Sequence, residues 1–165
     1  MPDNFQLRPA TADDVGIILE FIRELAEYEQ LLDRVVATEA LLRQHLFGER
    51  PMAEVVIGYE GTVPVAFALF FHNFSTFLGR PGIYLEDLFV KPNYRRKGYG
   101  RRILTWLARL AVERGCGRLE WSVLDWNKPA IDFYLSLGAE PLEEWTTFRL
   151  SGEALEVVGN MAVDI

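Results

Sequence analysis

The stretch Tyr84–Gly100, YLEDLFVKPNYRRKGYG, decides how this chain is read. It opens as a strand, because Tyr84, Leu85, Leu88, Phe89 and Val90 suit a buried, pleated surface. Glu86 and Asp87 interrupt it, and charge inside a buried strand is costly unless something compensates. Lys91-Pro92-Asn93-Tyr94 stops the strand, since proline cannot donate to a ladder and asparagine favours turns. Arg95-Arg96-Lys97-Gly98-Tyr99-Gly100 follows and opens a long amphipathic run. A basic, glycine-bearing loop between a strand and a helix is an anion-binding device. Free N–H groups and the helix dipole point at the anion, and glycine lets the backbone approach closely.

Lys91, Arg95, Arg96, Lys97, Arg101 and Arg102 put six positive charges in twelve residues with no acid among them. The whole chain carries −7, so taking those six away leaves −13 on the remainder. A basic spot on an acidic protein points to a specific polyphosphate site, whereas nucleic acid needs an extended basic face. The loop is not a P-loop, because no Gly-Lys-Ser/Thr follows. It is not a dinucleotide fingerprint either, because the third glycine would fall at Ile103. The plain alternative is a solvated corner; the carboxylates just upstream weigh against it.

The 165 residues predict one domain over 1–165, and half of them are hydrophobic, so the chain is globular. Cys116 is the only cysteine, which excludes an internal disulfide framework and fits a reducing compartment. Met1-Pro2-Asp3-Asn4 has neither the charge nor the apolar run of a secretory signal, and the longest apolar run is Val65–Phe71. These features predict a cytoplasmic protein without membrane or nucleic-acid partners. The acidic balance suits cationic small molecules.

Around the central stretch, Phe5–Arg8 reads as a first strand. Thr11 and the two aspartates after it start a helix whose apolar stripe runs Ile17, Ile18, Phe21, Ile22, Leu25, Tyr28. Glu20 and Glu24 read as its solvated face. Thr38–Leu46 is a second helix. Ala53–Tyr59 and Val63–His72 are strands joined by a tight turn at Glu60-Gly61-Thr62. Asn73–Gly82 reads as a loop. A helix runs from Tyr99 to Gly115 or Gly117, and Leu119–Leu124 is a strand. Asn127 begins another helix, with Pro129 in its first turn and a buried stripe of Ala130, Phe133, Tyr134 and Leu137. Trp145–Leu150 reads as a last strand, with a further short one near Glu140; the tail from Ser151 is unassigned. Consecutive early strands imply antiparallel pairing, and the strand-helix-strand unit from Tyr84 to Leu124 implies a parallel pair. The expectation is an α/β (α+β) fold: a mixed, mostly antiparallel sheet of six to seven strands with helices on both faces.

Arg95-x-x-Gly98-x-Gly100 after a strand resembles the acetyl-CoA pyrophosphate loop of the GNAT N-acetyltransferases. RPATADD (Arg8–Asp14), IRELAEYE (Ile22–Glu29), YLED (Tyr84–Asp87), VLDWN (Val123–Asn127) and FYLSLGA (Phe133–Ala139) resemble, in order, the diamine (spermidine/spermine) and thialysine acetyltransferases. The likeness covers roughly residues 5–150. It implies that acetyl-CoA lies along the Tyr84–Val90 strand, with its pantetheine on backbone of Leu88, Phe89 and Val90. The N–H of Leu88 would polarise the thioester. The pyrophosphate would sit on Arg95, Arg96, Lys97, Gly98, Tyr99 and Gly100. Asn127 would contact the cofactor or an ordered water, beside its plain role as a helix cap. A small cationic amine would meet Tyr28, Glu29, Glu86 and Asp87, and the enzyme would be a homodimer.

Acetyl transfer to an amine needs a base for an ammonium of pKa about 10 and an acid for a thiolate whose conjugate pKa is about 8.5. The resemblance assigns the acid to Tyr134, whose alternative is a core tyrosine with a structural hydrogen bond. It assigns the base to Glu86 through water and leaves Asp87 to hold the amine. The residues themselves allow those two roles to be exchanged. Adjacent strand residues point to opposite faces, so both reach one site only through a bulge. His45 and His72 show no metal-ligand spacing, and no metal is expected. Leu124-Asp125-Trp126-Asn127 leans to the thialysine type. Leu142-Glu143-Glu144-Trp145 lacks the glycine that both types carry there. A protein-amine acetyltransferase and a non-catalytic acyl-CoA-binding module are the competing readings.

Overall fold

The computed structural model describes residues 4–162, so Met1–Asp3 of the start read above lie outside them. The chain forms two compact units, one up to Leu124 and one from Asp125 onward.

In the first unit a 3-10 turn at Ala12–Asp14 leads into α1, Val15–Tyr28. The Thr11 N–H donates to Asp14 Oδ2 at 2.7 Å, half of a capping box that satisfies exposed donors at this entry. Helix α2, Glu39–Phe47, starts as predicted, with Thr38 Oγ1 accepting from the Leu41 N–H at 3.2 Å. The strands are β1 (Phe5–Pro9), β2 (Glu54–Glu60), β3 (Val63–Ser75), β4 (Arg80–Val90) and β5 (Leu119–Trp121), in spatial order β1-β2-β3-β4-β5. The first four pair antiparallel. Helix α3, Tyr99–Glu113, carries the chain across to β5, which pairs parallel with β4.

Phe67 and Phe70 are three residues apart in β3, so they point to opposite faces of the sheet. Phe67 stacks on Phe21 of α1 at 5.0 Å between ring centroids. Phe70 meets Trp106 of α3 edge-on at 5.9 Å. One helix therefore covers each face. Ile18, Phe21, Leu46, Val55, Ile57, Phe67 and Phe89 form the core on the α1 side. On α3, Ile103, Leu104, Leu107 and Ala111 are buried against the sheet side of the helix.

The sequence reading needs two corrections in this unit. The stretch Asn73–Gly82 is not a loop throughout. The β3–β4 ladder continues to Phe74↔Pro81 and Ser75↔Arg80. Proline and glycine punctuated the sequence there, but the Pro81 carbonyl still accepts from the Gly117 N–H at 2.9 Å, and its missing donor costs the ladder little. The β5 strand also ends early, at Trp121.

The second unit holds α4, Lys128–Ser136, and α5, Gly152–Gly159. The predicted strand at Trp145–Leu150 and the one near Glu140 are absent among the described residues, which leaves five strands rather than six or seven. Local sequence proposes a strand, but a strand exists only where a neighbour takes its backbone N–H and C=O groups. No such neighbour is paired here, and Phe148 is 91% exposed. The α4 stripe is only half-buried, and Leu137 is exposed. Among the described residues no helix is long and apolar enough to cross a membrane.

Candidate active site

The basic loop begins with a 3-10 turn at Pro92–Tyr94. Arg96 then takes a left-handed conformation, φ 65°, a cost for a residue with a Cβ that a functional loop can carry. Gly98 does the same at φ 81° and is the N-cap of α3. No side-chain oxygen caps the first N–H groups of the helix. A Cβ added at Gly98 or Gly100 would meet no heavy atom within 4 Å. Open space over uncapped N–H groups at a helix start fits a pyrophosphate.

The side chains of the loop behave differently from what their charge suggested. Lys97 Nζ pairs with Glu60 Oε2 at 3.0 Å. The Tyr99 hydroxyl also donates to Glu60, and its ring stacks on Phe5 at 4.0 Å. Tyr99 and Lys97 together hold the Glu60 carboxyl below the usual carboxylate range. Lys91 bonds Glu20 at 3.1 Å and Glu24 at 3.5 Å, so those acids are not a merely solvated face. Arg102 donates to the Phe5 carbonyl at 3.2 Å. Arg95 donates from Nε to the Val90 carbonyl at 2.9 Å. Four of the six cations are thus committed to protein partners; Arg96 and Arg101 make no ion pair among the described residues. The backbone N–H groups at the start of α3, which no side chain caps, could hold an anion there.

In β4, Leu85 faces Phe70 and Asp87 faces Leu69, so Glu86 is an extra residue with no cross-strand partner. The expected bulge lies here. Cross-strand partners point the same way. Leu85 therefore shares the α3 face with Phe70, while Phe89, opposite Phe67, shares the α1 face. Asp87 is two residues before Phe89 and lies on that α1 face as well. Without the bulge it would have followed Leu85 into the apolar α3 side.

The result is an acidic group at the C-terminal end of α1. Asp87 is pushed up to about 7, first by burial and then by the neighbouring charges of Glu86 and Glu29. Burial also raises Glu29. Glu86 is exposed. Tyr28, the last residue of α1, lies under the Arg95 guanidinium, whose central carbon is 4.8 Å from the ring centroid. Tyr28, Glu29, Glu86 and Asp87, the predicted amine residues, thus share the region around the α1 end and the bulge.

Leu88, Phe89 and Val90 pair with Ala68, Phe67 and Ala66 of β3. On the other edge, the ladder to β5 stops at Leu85↔Trp121. From Glu86 onward that edge of β4 offers backbone groups outside any ladder among the described residues, which is what a pantetheine amide would use.

In the second unit Asn127 is buried and its Oδ1 accepts from the Ala130 N–H at 3.4 Å, the cap role read from the sequence. Tyr134 is half-buried on α4, its ring 5.7 Å from that of Phe133. Sequence reasoning missed Glu60. Its only signal is its place at the β2–β3 turn, and nothing local links that turn to the loop. Among the described residues no group of three His, Cys, Asp or Glu side chains is arranged to hold a metal.

A model of the acetyltransferase (GNAT) family matches residues 19–139. The thialysine N-epsilon-acetyltransferase of Bos taurus is 43% identical over 160 residues, covering 90% of this chain and 94% of the relative. The L-ornithine N5-acetyltransferase NATA1 of Arabidopsis thaliana is 32% identical, covering 96% and 89%. Among solved structures, the integron cassette protein VCH_CASS6 from the mobile metagenome of V. cholerae superposes with a TM-score of 0.79 at 28% identity, covering 96% of this chain and 99% of that one.

Proposed function

The chain belongs to the GNAT acetyltransferase family, and from that premise we propose that it acetylates the terminal amine of a small cationic acceptor, with acetyl-CoA as donor. The acceptor class is a lysine-like amino acid, such as thialysine or ornithine, ahead of a polyamine. The observation that carries this is the turn of Asp87, by the Glu86 bulge, onto the face where α1 presents Glu29. Three carboxylates gathered there suit a cation. The names of the two curated relatives described above support the amino-acid class.

Acetyl-CoA supplies the activated acyl group when bound. The uncapped N–H groups after Gly98 would hold its pyrophosphate, and the free edge of β4 near Leu88, Phe89 and Val90 would hold its pantetheine. Asn127 would contact it or an ordered water. No metal is needed for this chemistry.

An ammonium must lose a proton before it can attack. A carboxylate near 7 matches neutral pH well as an acceptor, since enough is ionised and its basicity exceeds that of an ordinary aspartate. Of the two exchangeable roles, this favours Asp87 as the proton acceptor. Glu86 and Glu29 then hold the cation, with Tyr28 as the adjacent aromatic wall. Tyr134 is the proposed acid for the leaving thiolate, since a phenol can donate while staying neutral at pH 7. The family model runs across the Leu124–Asp125 junction, which supports one acetyltransferase domain over 1–165. We also propose a homodimer.

The test is a turnover screen with acetyl-CoA over thialysine, lysine, ornithine, putrescine, spermidine and an aminoglycoside. Acetylation of thialysine or ornithine ahead of spermidine supports the reading. Acetylation of an aminoglycoside alone, or acetyl-CoA binding with no turnover on any amine, overturns it.

A further inference from the structure

Arg95 opens the R-x-x-G-x-G loop, and its side chain reaches back to β4 and to the end of α1. Nε donates to the Val90 carbonyl at 2.9 Å. The guanidinium carbon sits 4.8 Å from the centre of the Tyr28 ring and 5.4 Å from that of Phe89. One planar cation therefore spans the last residue of α1 and the last two residues of β4, while its own backbone belongs to the basic loop.

We infer that Arg95 is a positioning residue that links donor binding on the loop to amine binding at the end of α1. This rests on the acetyl-CoA and amine sites proposed above. An anion seated on the loop fixes the Arg95 backbone. The side chain, exposed and long, then loses less freedom in staying between Tyr28 and Phe89. That holds Tyr28 in place, and with it Glu29, the residue whose charge acts on Asp87. By linkage, an amine held against Tyr28 must favour the ordered loop by the same factor. Lysine cannot replace arginine here, because it has neither the Nε–H that bonds Val90 nor a plane to lie on two rings.

The experiment uses the full chain, CoA as a non-reacting donor, and the best acceptor among thialysine, ornithine and spermidine. Calorimetry measures the Kd of the amine with and without saturating CoA, and steady-state assays give the amine KM. In the native chain CoA should tighten amine binding about fivefold, within the usual range of such couplings. In Arg95→Met, measured at a CoA concentration that saturates the variant, that factor should fall to near one and the amine KM should rise about fivefold. Arg95→Lys should not restore it. If Arg95→Met folds poorly, Tyr28→Leu removes the other half of the contact and should lose the same coupling. CoA binding with unchanged coupling in either variant overturns the inference alone. No CoA binding by the native chain overturns the acetyl-CoA reading and this inference with it.

Discussion

Asp87 faces Leu69 across the β3–β4 ladder, one residue out of step with the pairing that precedes it. That slip moves a carboxylate from the α3 face to the α1 face and sets it among other acids. Burial and those acids raise its pKa to about 7, so the fold favours its protonated form. The stability it contributes is complete below the ordinary carboxylate range and drains away as pH rises through about 7. Asp87→Asn mimics the protonated form. It should raise the thermal midpoint at pH 8, where the charge otherwise costs a few kcal/mol, and change it little at pH 4. An equal shift at both pH values would show that Asp87 is not ionising in this range.

Turnover should respond in the opposite sense. If Asp87 takes the amine's proton, kcat/KM in the native chain should fall as pH drops through about 7. Asp87→Asn should lose roughly 10²-fold or more and lose that acidic limb. Glu86→Gln should raise the amine KM more than it lowers kcat. A limb that survives in Asp87→Asn and vanishes in Glu86→Gln would return the base to Glu86.

The two loop glycines should part company. Gly100 lies in the first turn of α3 with open space around it, so Gly100→Val should fold normally and weaken CoA binding severely. Gly98 sits at φ 81°, and Gly98→Val should also cost stability, about 1–2 kcal/mol, because a branched side chain is strained there. Unchanged CoA affinity in folded Gly100→Val, read by calorimetry, would remove the pyrophosphate from this loop.

Tyr134→Phe keeps the ring and removes only the hydroxyl. Stability should change by about 1 kcal/mol, turnover should fall about 10²–10⁴-fold, and CoA affinity should move far less. Near-native turnover on the true acceptor would return Tyr134 to a packing role.

Light scattering at micromolar concentration should give twice the monomer mass. A monomer mass would overturn the homodimer.

The sequence by itself determined the parts whose signals are local. Thr38 caps α2, Asn127 caps α4, and the stripe of Ile103, Leu107 and Ala111 faces inward, because capping and periodicity are set by a few neighbouring residues. Family membership was legible in five ordered blocks. What only the tertiary structure decided depends on partners far along the chain. The bulge at Glu86 exists only as a register against β3, and it selects which carboxylate turns to the α1 face. Lys97 pairs with Glu60, thirty-seven residues earlier, through a contact that nothing local in the sequence announces. Arg95 lies against Tyr28 through a contact no local pattern encodes. The same dependence works in reverse at Trp145–Leu150. It read as a strand, but without a paired neighbour among the described residues its backbone has no ladder to join.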